Sequence, residues 1–494
     1  MRVFFEMPAR SYLRMYGSTL RELAGRGHHV LLCYDRPDKS DDEAAAEIEA
    51  HPGIEIVSPL PRAKRPGEER IARRRAGIDY LRYLDRRFAG APYLRRRLEP
   101  DLGGPYRWLT HAPGGLPFVP WWTRRLLARE HRVPSDPGVE QALAAHAPDV
   151  VFVTPLIGRS NRNRRQTDTV KAARALAVPV AFGVATWDHL TTKGLVKETP
   201  DRGFVWNEIH RGEAVDLHGV PTGRVAVTGA QLFDEWFDRQ PATTREELLI
   251  SAGLPGAGGY VLYVGSSPNI APPSEEIAFV RRWLAALRES GDGRLGQVAV
   301  LVRPHPYSVE AWAAVDLAGL EAAVVPRTAP ATPMTEADLA LYFDSIHHSS
   351  AVVGINTTAM VEAFIQRRPV LTIRAPEFRE TQAGTLHFRD LSFASGDALQ
   401  AAETIEEHIA QLSATLADPE RHREGIEEFL RRFVRPLGLE RPATPVLVDG
   451  IEELARSGDL GGGRSLAQPP GDAADDADGR SGRGEEDAES TVAH

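Results

Sequence analysis

Short apolar runs alternate with amphipathic segments along most of the chain, and this alternation predicts parallel β-α-β units. The clearest unit lies within residues 343–374. Its apolar run Ala351–Ile355 is short and rich in β-branched residues, which favours a buried strand. Thr358–Gln366 then has helical spacing, Pro369 blocks continuation of that helix, and Val370–Ile373 is predicted as a second strand. The unit therefore predicts the crossover of a parallel sheet.

The same rhythm occurs on both sides of a break near Pro255–Gly259, which predicts two domains. A first strand is expected at Arg2–Glu6, and a second series begins with a strand at Tyr260–Val264. A chain of 494 residues is also too long for one ordinary core. We predict an α/β protein with two Rossmann-like domains that face each other across a cleft, at residues 1–235 and 259–440.

Residues 61–137 depart from this rhythm, because they are rich in Arg and interleaved with aromatic residues. Between Arg62 and Arg132 there are 18 Lys/Arg against 7 Asp/Glu. We predict a helical insertion that covers the mouth of the first domain. Two interpretations stay open: contact with an anionic acceptor or a phospholipid surface, or arginines that pair with acids elsewhere in the protein. Nucleic acid is not an expected partner, since no recognised binding motif accompanies the charge.

The cysteine count and the lengths of the apolar runs bear on the cellular compartment of the protein. A single cysteine, Cys33, excludes an intrachain disulfide and fits a reducing cytoplasm. No run of about 18 apolar residues predicts a membrane span, and the N-terminal segment lacks the apolar region of a signal peptide. We expect a cytoplasmic protein, with peripheral contact at the inner face of the membrane through 61–137 as an open option. Residues 457–494, rich in Gly, Asp and Ala, are predicted to form a disordered acidic tail.

Polar residues follow the predicted strands of the second half, where open α/β sheets bind their ligands. Asn356, Thr357 and Thr358 precede a predicted helix, and a helix N-terminus with nearby hydroxyls suits a phosphate. Glu362 lies about one turn further along, where a carboxylate can accept hydrogen bonds from a ribose. The alternative is a plain capped helix with a solvent-facing Glu. Other strands of this half are followed by Ser266, Ser267, Arg303 and His305.

The first half offers candidates for a base and for a second ligand. Asp188 and His189 follow a predicted strand, and both residue types exchange protons near neutral pH when their surroundings shift the pKa. Gly17 and Ser18 stand at the predicted start of the first helix, where they either approach a ligand or only begin the helix. The fingerprint G-x-G-x-x-G is absent, which weakens a dinucleotide-binding interpretation.

Six stretches are distributed within residues 150–440: TWDHLTTKG (186–194), VWNEIHRGEAVDLHGVP (205–221), VAVTGAQLFDEWF (225–237), YVGSS (263–267), VLVRPHP (300–306) and GINTTAMVEAFIQRRPVLTI (354–373). Together they resemble nucleotide-sugar glycosyltransferases of the GT-B fold, above all bacterial polysaccharide glycosyltransferases. Related families are the hydrolysing UDP-N-acetylglucosamine 2-epimerases and the CDP-glycerol glycerophosphotransferases. Residues 1–60 match only as a generic first unit, and 61–137 match no family.

The resemblance implies that the second domain holds a nucleotide-sugar donor and that the first supplies the acceptor site and the base. It implies no metal and no cofactor, because such enzymes can neutralise the leaving diphosphate with a helix N-terminus and basic side chains, and no D-x-D motif stands in the folded body. The implied donor-binding residues are Ser266, Ser267, Arg303, His305, Asn356, Thr357, Thr358 and Glu362. The implied acceptor-binding residues are Gly17 and Ser18, and the implied catalytic residues are Asp188 and His189.

We therefore expect a metal-independent glycosyltransferase that acts on a hydroxyl of a cell-surface glycan or a lipid-linked precursor. One open alternative is a CDP-alditol phosphotransferase or a hydrolysing 2-epimerase. Asn356-Thr357-Thr358 counts against an epimerase, which has a glycine-rich turn there, and His305 matches only one of the paired His motifs of the phosphotransferases. The other alternative is a nucleotide-binding protein that kept the fold without catalysis.

Overall fold

A computed structural model of the chain describes residues 1–36, 43–63, 65–157, 166–255, 258–328 and 335–459. Its first sheet is parallel throughout and has the order β3-β2-β1-β4-β5-β6-β7, where the strands are β1 (Arg2–Met7), β2 (His29–Tyr34), β3 (Ile54–Val57), β4 (Val150–Val153), β5 (Val180–Gly183), β6 (Arg202–Val205) and β7 (Val225–Val227). Both faces of this sheet are covered, so β4 is buried at every position. That burial explains its continuous apolar run.

Helices connect and cover these strands. In chain order they are α1 (Leu13–Gly25), α2 (Glu43–Glu49), α3 (Glu68–Arg82), α4 (Pro92–Arg96), α5 (Val119–His131), α6 (Pro137–His146), α7 (Gln166–Ala175), α8 (His189–Thr192) and α9 (Glu208–His218). The connector to the second sheet contains α10 (Asp234–Asp238) and α11 (Arg245–Ser251).

The second sheet is also parallel, with the order β10-β9-β8-β11-β12-β13 for strands β8 (Tyr260–Val264), β9 (Ala299–Arg303), β10 (Ala322–Val324), β11 (Ala351–Gly354), β12 (Val370–Ile373) and β13 (Leu399–Ala402). Its helices are α12 (Pro273–Glu289), α13 (Val309–Ala313), α14 (Glu336–His347), α15 (Ala359–Ile365), α16 (Leu386–Ser395), α17 (Ile405–Ala417) and α18 (Arg423–Phe429), which a π-helical turn at Leu430–Val434 follows.

The strand orders confirm the predicted α/β class with two Rossmann-like sheets. In the first sheet the order reverses between β1 and β4, and in the second it reverses between β8 and β11. Such reversals open a crevice at the carboxyl ends of the strands, where ligands bind. The two reversals therefore fix where a shared cleft lies.

The predicted insertion is helical, as expected, and comprises α3, α4, α5 and the 3₁₀ turns between them. Several of its arginines pair with buried acids. Arg75 donates to Glu130 at 2.9 Å and to Asp168 at 2.7 Å, and Arg74 donates to Glu130 at 2.8 Å. Pairing within the protein, one of the two open interpretations, therefore accounts for part of the local positive charge.

The insertion also touches the second half of the chain. A Cβ placed on Gly384 would lie 1.9 Å from the carbonyl oxygen of Gly90, so the two backbones are in direct contact. Arg96 pairs with Glu380, and Arg389 donates to the carbonyl oxygen of Arg87 at 3.3 Å. The segment around α4 therefore spans from the first sheet to the second.

The last helix, α19 (Ala443–Asp459), returns to the first sheet. Its apolar side chains Leu447, Val448 and Ile451 are buried in one core cluster with β1. The tail was predicted to begin at Ser457, which is wrong, because this packed helix continues to Asp459. The rest of the predicted tail, residues 460–494, lies outside the described residues.

Candidate functional site

A cleft of about 220 Å³ lies where polar loops of the two sheets meet. Six of the predicted site residues line it: Asp188, Ser267, His305, Asn356, Thr357 and Thr358. The other six do not line this cleft: Gly17, Ser18, His189, Ser266, Arg303 and Glu362. The lining is completed by Tyr93, Arg97, Trp187, Thr192, Lys193, Asn269, Ile270 and His387.

The loop after β8 contributes one side of the cleft. A Cβ on Gly265 would lie 2.7 Å from the backbone nitrogen of His305, so only glycine lets the loops after β8 and β9 lie this close. Ser266 is buried, where its N–H donates to Glu276 Oε1 at 2.8 Å and its Oγ accepts from the N–H of Asn356 at 3.2 Å. Ser266 therefore positions the loop, and Ser267 is the serine that faces the cleft.

The junction of β11 and α15 forms the opposite wall. We expected hydroxyl or amide capping of the helix by Asn356, Thr357 or Thr358, but no side chain accepts at the N-cap, Thr358. Thr358 Oγ1 instead accepts from Trp187 Nε1 at 3.2 Å, and Asn356 Nδ2 donates to the carbonyl oxygen of Thr381 at 2.6 Å. The backbone N–H groups of Met360 and Val361 donate to the carbonyl oxygens of Thr357 and Thr358 at 3.1 and 2.9 Å, so they are not free. This wall therefore faces the cleft with the polar residues Asn356, Thr357 and Thr358.

Glu362 lies behind this wall rather than on it. Its carboxylate accepts from the hydroxyl of Tyr342, whose ring lies under the guanidinium of Arg303 at 4.7 Å. Burial raises the pKa of Glu362, and the solvent-facing alternative for this residue is wrong because α15 is buried at every position. Glu362, Tyr342 and Arg303 form what we call the Arg303 cluster.

Arg303 carries a buried charge in that cluster. Its side chain is 7% exposed, and Nη1 is buried without a hydrogen-bond partner. Burial lowers its pKa to about 10, although Tyr342 and Glu362 oppose the shift. Leaving a cation buried in this way costs free energy unless an anion arrives. The cluster therefore has spare capacity for an anionic ligand.

Asp188 is the predicted base that does line the cleft. Its carboxylate accepts from the hydroxyls of Thr186 and Thr192, each at 2.7 Å, and lies 3.7 Å from Lys193 Nζ. Burial by itself would raise the pKa of Asp188, but Lys193, His387 and the two hydroxyls outweigh burial and hold that pKa below its usual range. Asp188 is therefore an ionised proton acceptor at neutral pH.

His189 is not a free base. Its ring is buried, Nδ1 accepts from the N–H of Ala185 at 2.9 Å, and Nε2 lies 3.0 Å from the carbonyl oxygen of Pro155. Both nitrogens are therefore used, and burial lowers the pKa of the ring to about 3. His189 therefore does not line the cleft, because adjacent residues of this tight turn point in different directions.

Gly17 and Ser18 are held by packing rather than by the cleft. Both lie inside α1, which begins four residues earlier than Gly17, at Leu13. A Cβ on Gly17 would lie 2.7 Å from Ile48 in α2, and Ser18 Oγ accepts from Thr444 Oγ1 at 3.1 Å in α19. Of the two interpretations for this pair, the structure supports a helical packing role.

His387 is a cleft residue that the sequence analysis missed. Its Nε2 lies 3.2 Å from Asn356 Nδ2, and its Nδ1 lies 3.3 Å from Thr191 Oγ1 across the cleft. Trp187 packs edge to face against its ring at 5.0 Å, and burial lowers its pKa to about 4. The neutral ring thus joins the two walls. Nothing in its local sequence distinguishes it from other helical residues, since it simply follows the N-cap Thr385 of α16.

The insertion supplies two further lining residues, Tyr93 and Arg97. The Arg97 guanidinium lies over the Tyr93 ring at 5.8 Å.

Within the described ranges, no three His, Cys, Asp or Glu side chains are grouped closely enough to hold a metal ion. Among the helices of those ranges, none is both long and apolar enough to cross a bilayer.

No family model matches the chain, and no curated protein matches its sequence. Solved structures match its fold. The S. aureus MnaA–UDP co-structure matches 92% of this chain and 97% of its own, with a TM-score of 0.51 and 12% identity. A putative UDP-N-acetylglucosamine 2-epimerase from Listeria monocytogenes matches the same shares, with a TM-score of 0.50 and 12% identity. The chain therefore has the two-domain α/β fold of these proteins, the GT-B-like fold that was predicted.

Proposed function

We propose that the protein is a metal-independent glycosyltransferase that moves a sugar from a nucleotide-sugar donor to a hydroxyl acceptor in cell-surface polysaccharide or glycolipid synthesis. One observation carries the proposal. The cleft joins a wall of hydroxyl and amide donors from the second half with an ionised carboxylate, Asp188, from the first. The UDP present in the MnaA structure of the same fold supports a nucleotide as the ligand.

The donor is assigned to the second domain, residues 259–440. Ser267, Thr357 and Thr358 would hold the diphosphate with their hydroxyl groups. His305 and Asn356 complete this wall. The Arg303 cluster lies behind it, where Glu362 would bind the ribose after the Tyr342 hydroxyl leaves its carboxylate. Nucleotide binding would therefore be coupled to movement of Tyr342.

The acceptor is assigned to the first domain, residues 1–235, on the side of Tyr93 and Arg97. Its hydroxyl oxygen would attack the anomeric carbon while the bond from that carbon to the diphosphate oxygen breaks. Asp188 would take the hydroxyl proton. A carboxylate with a low pKa is a weak base at rest, so its proton transfer would come late, when the attacking oxygen has become acidic. Lys193 and the helix N-terminus would balance the charge of the departing diphosphate.

A hydrolysing nucleotide-sugar 2-epimerase is the second candidate, and the fold match to the Listeria monocytogenes protein favours it. Asn356-Thr357-Thr358 argues for transfer, since the epimerases that the sequence resembles have a glycine-rich turn there. Product analysis separates the candidates, because transfer yields a glycosidic bond and the epimerase yields free epimerised sugar with nucleoside diphosphate. A phosphodiester product would identify an alditol phosphotransferase instead.

The first experiment is a thermal-shift screen against UDP, GDP, CDP, dTDP and CMP, followed by product analysis with sugars of the nucleotide that binds. We expect one nucleoside diphosphate to raise the unfolding temperature. Asp188→Asn should lower the transfer rate by about 100-fold or more with little change in nucleotide affinity. A protein that binds nucleotide but turns over no donor would be the non-catalytic alternative, and a protein that binds none of them contradicts the proposal.

A further inference from the structure

Three exposed aromatic side chains lie on the insertion, and we call them the aromatic patch: Trp108, Phe118 and Trp121. They are 47%, 45% and 52% exposed, respectively. Trp108 packs edge to face against Trp122 at 5.2 Å, and Phe118 meets the same ring at 6.2 Å. Trp108 and Phe118 are therefore joined through Trp122, and Trp121 precedes that residue in α5. Contiguous exposed apolar surface of this kind marks an interaction site.

The segment that carries the patch has exposed charges of one sign. In residues 104–132 every exposed charged side chain is an arginine: Arg107, Arg124, Arg125, Arg129 and Arg132. Glu130, the acid of this segment, is fully buried and pairs with Arg74 and Arg75 at 2.8 Å. Arg125 lies over the Trp121 ring at 5.3 Å, so apolar and cationic groups are interleaved.

We propose that the aromatic patch docks on an anionic phospholipid bilayer. Indole rings are favoured at the boundary between headgroups and acyl chains, because one edge is polar and the body is apolar. Arginines near an anionic leaflet are attracted to it, and their aliphatic stems cover apolar surface as they reach the headgroups. A segment that combines exposed rings with exposed arginines is complementary to such a bilayer in both respects.

The patch and the cleft share the same supporting core. Leu109 and Val119, which lie beneath the patch, are buried in one cluster with Tyr93 and Leu94 of α4. Tyr93 also lines the cleft. Docking would therefore hold the insertion wall of the cleft beside the bilayer, where a hydroxyl carried on a lipid can reach it. The docking itself does not depend on which reaction the cleft performs.

Flotation of the full-length protein with vesicles tests the proposal. We expect binding to vesicles of equimolar phosphatidylglycerol and phosphatidylcholine, little binding to phosphatidylcholine alone, and release by high salt. Replacing Phe118 and Trp121 together by Ala should weaken binding at least about tenfold. Replacing Arg124 and Arg125 together by Gln should weaken binding to anionic vesicles about 25-fold, because each arginine near the surface contributes about fivefold.

The matched control is Phe393→Ala. Phe393 is 72% exposed on α16 and has Arg432 over its ring at 5.9 Å, so it carries the same pair of groups away from the insertion. We expect this variant to bind vesicles like the unaltered protein. The proposal is overturned if the unaltered protein does not bind anionic vesicles, or if Phe393→Ala loses as much binding as the patch variants. Capture of a single-stranded oligonucleotide by the patch, with no vesicle binding, would also overturn it.

Discussion

The substitution Arg303→Met tests whether the buried charge of Arg303 destabilises the nucleotide-free protein and strengthens nucleotide binding. Burial lowers the pKa of Arg303 from 12.5 to about 10, which corresponds to about 3 kcal/mol against the charged form in the folded protein. Methionine keeps most of the apolar contact with Tyr342 and removes the charge, at a packing cost of about 1 kcal/mol. We expect the nucleotide-free protein to gain about 2 kcal/mol in its free energy of unfolding.

The same change should weaken nucleotide binding. A hydrogen bond to a charged group contributes about 1.5–3 kcal/mol, so the affinity for the nucleoside diphosphate should fall about 10- to 100-fold. Urea unfolding followed by tryptophan fluorescence measures the stability, and calorimetric titration measures the affinity.

Arg288→Met is the control for this pair of effects. Burial also lowers the pKa of Arg288, but its guanidinium donates to the carbonyl oxygens of Leu320, Leu295 and Val298 at 2.7–3.0 Å. Its removal should therefore destabilise the protein and leave nucleotide affinity unchanged. If Arg303→Met destabilises the protein like this control and keeps its affinity, Arg303 is a structural residue and the reasoning about the Arg303 cluster is wrong.

Two other substitutions test the contact between Gly384 and Gly90 and the buried ring of His408. Gly384→Ala places a Cβ 1.9 Å from the Gly90 carbonyl oxygen, so it should displace the insertion and lower turnover by up to about 100-fold. The control is Gly114→Ala, whose Cβ would lie 3.9 Å from its nearest neighbour and should leave turnover unchanged. Equal turnover in the two variants would contradict a role for the contact between Gly384 and Gly90. His408 is buried without hydrogen-bond partners, and burial lowers its pKa to about 3. As the pH falls below about 6.5, the His408 ring is therefore protonated in the unfolded chain but not in the folded protein. The folded protein loses stability progressively from that pH down to about pH 3. Relative to the unaltered protein, His408→Leu should therefore gain about 2 kcal/mol in unfolding free energy between pH 7.5 and pH 5, and a pH-independent difference would refute this assignment.

The fold could be predicted from the sequence because its signals are local. The segment around β11 and β12 illustrates this: predicted strands at Ala351–Ile355 and Val370–Ile373 correspond to observed strands at Ala351–Gly354 and Val370–Ile373. Fully buried parallel strands are short apolar runs, and the helix between them keeps a 3.6-residue period. Each of these two patterns can be recognised within one short stretch of consecutive residues.

The site could be predicted only in part, because lining a cleft depends on direction and on distant partners. Asp188 and His189 are neighbours in sequence, yet one faces the cleft and the other is buried against Pro155. Glu362 has the expected position on α15, but Tyr342, 20 residues earlier, occupies its carboxylate. No local pattern carries these pairings. His387 was missed for the same reason.

The packing of α19 against the first sheet has a sequence signal that the predictions above did not include. Leu447, Val448, Ile451 and Leu454 have the spacing of one helical face, which predicts an amphipathic helix. Which sheet that face covers is a tertiary matter. Asp234 fixes it by accepting from the backbone N–H groups of Ala443 and Thr444 at 3.0 and 2.6 Å, a contact between residues about 210 positions apart.

A crystal structure of the protein with the nucleoside diphosphate that binds most tightly tests the central claim most directly. We predict that the diphosphate contacts Ser267, Thr357 and Thr358, and that the ribose hydroxyls reach Glu362 with the Tyr342 hydroxyl displaced from it. A nucleotide bound elsewhere, or a nucleotide bound in the cleft while Tyr342 still donates to Glu362, would contradict the account.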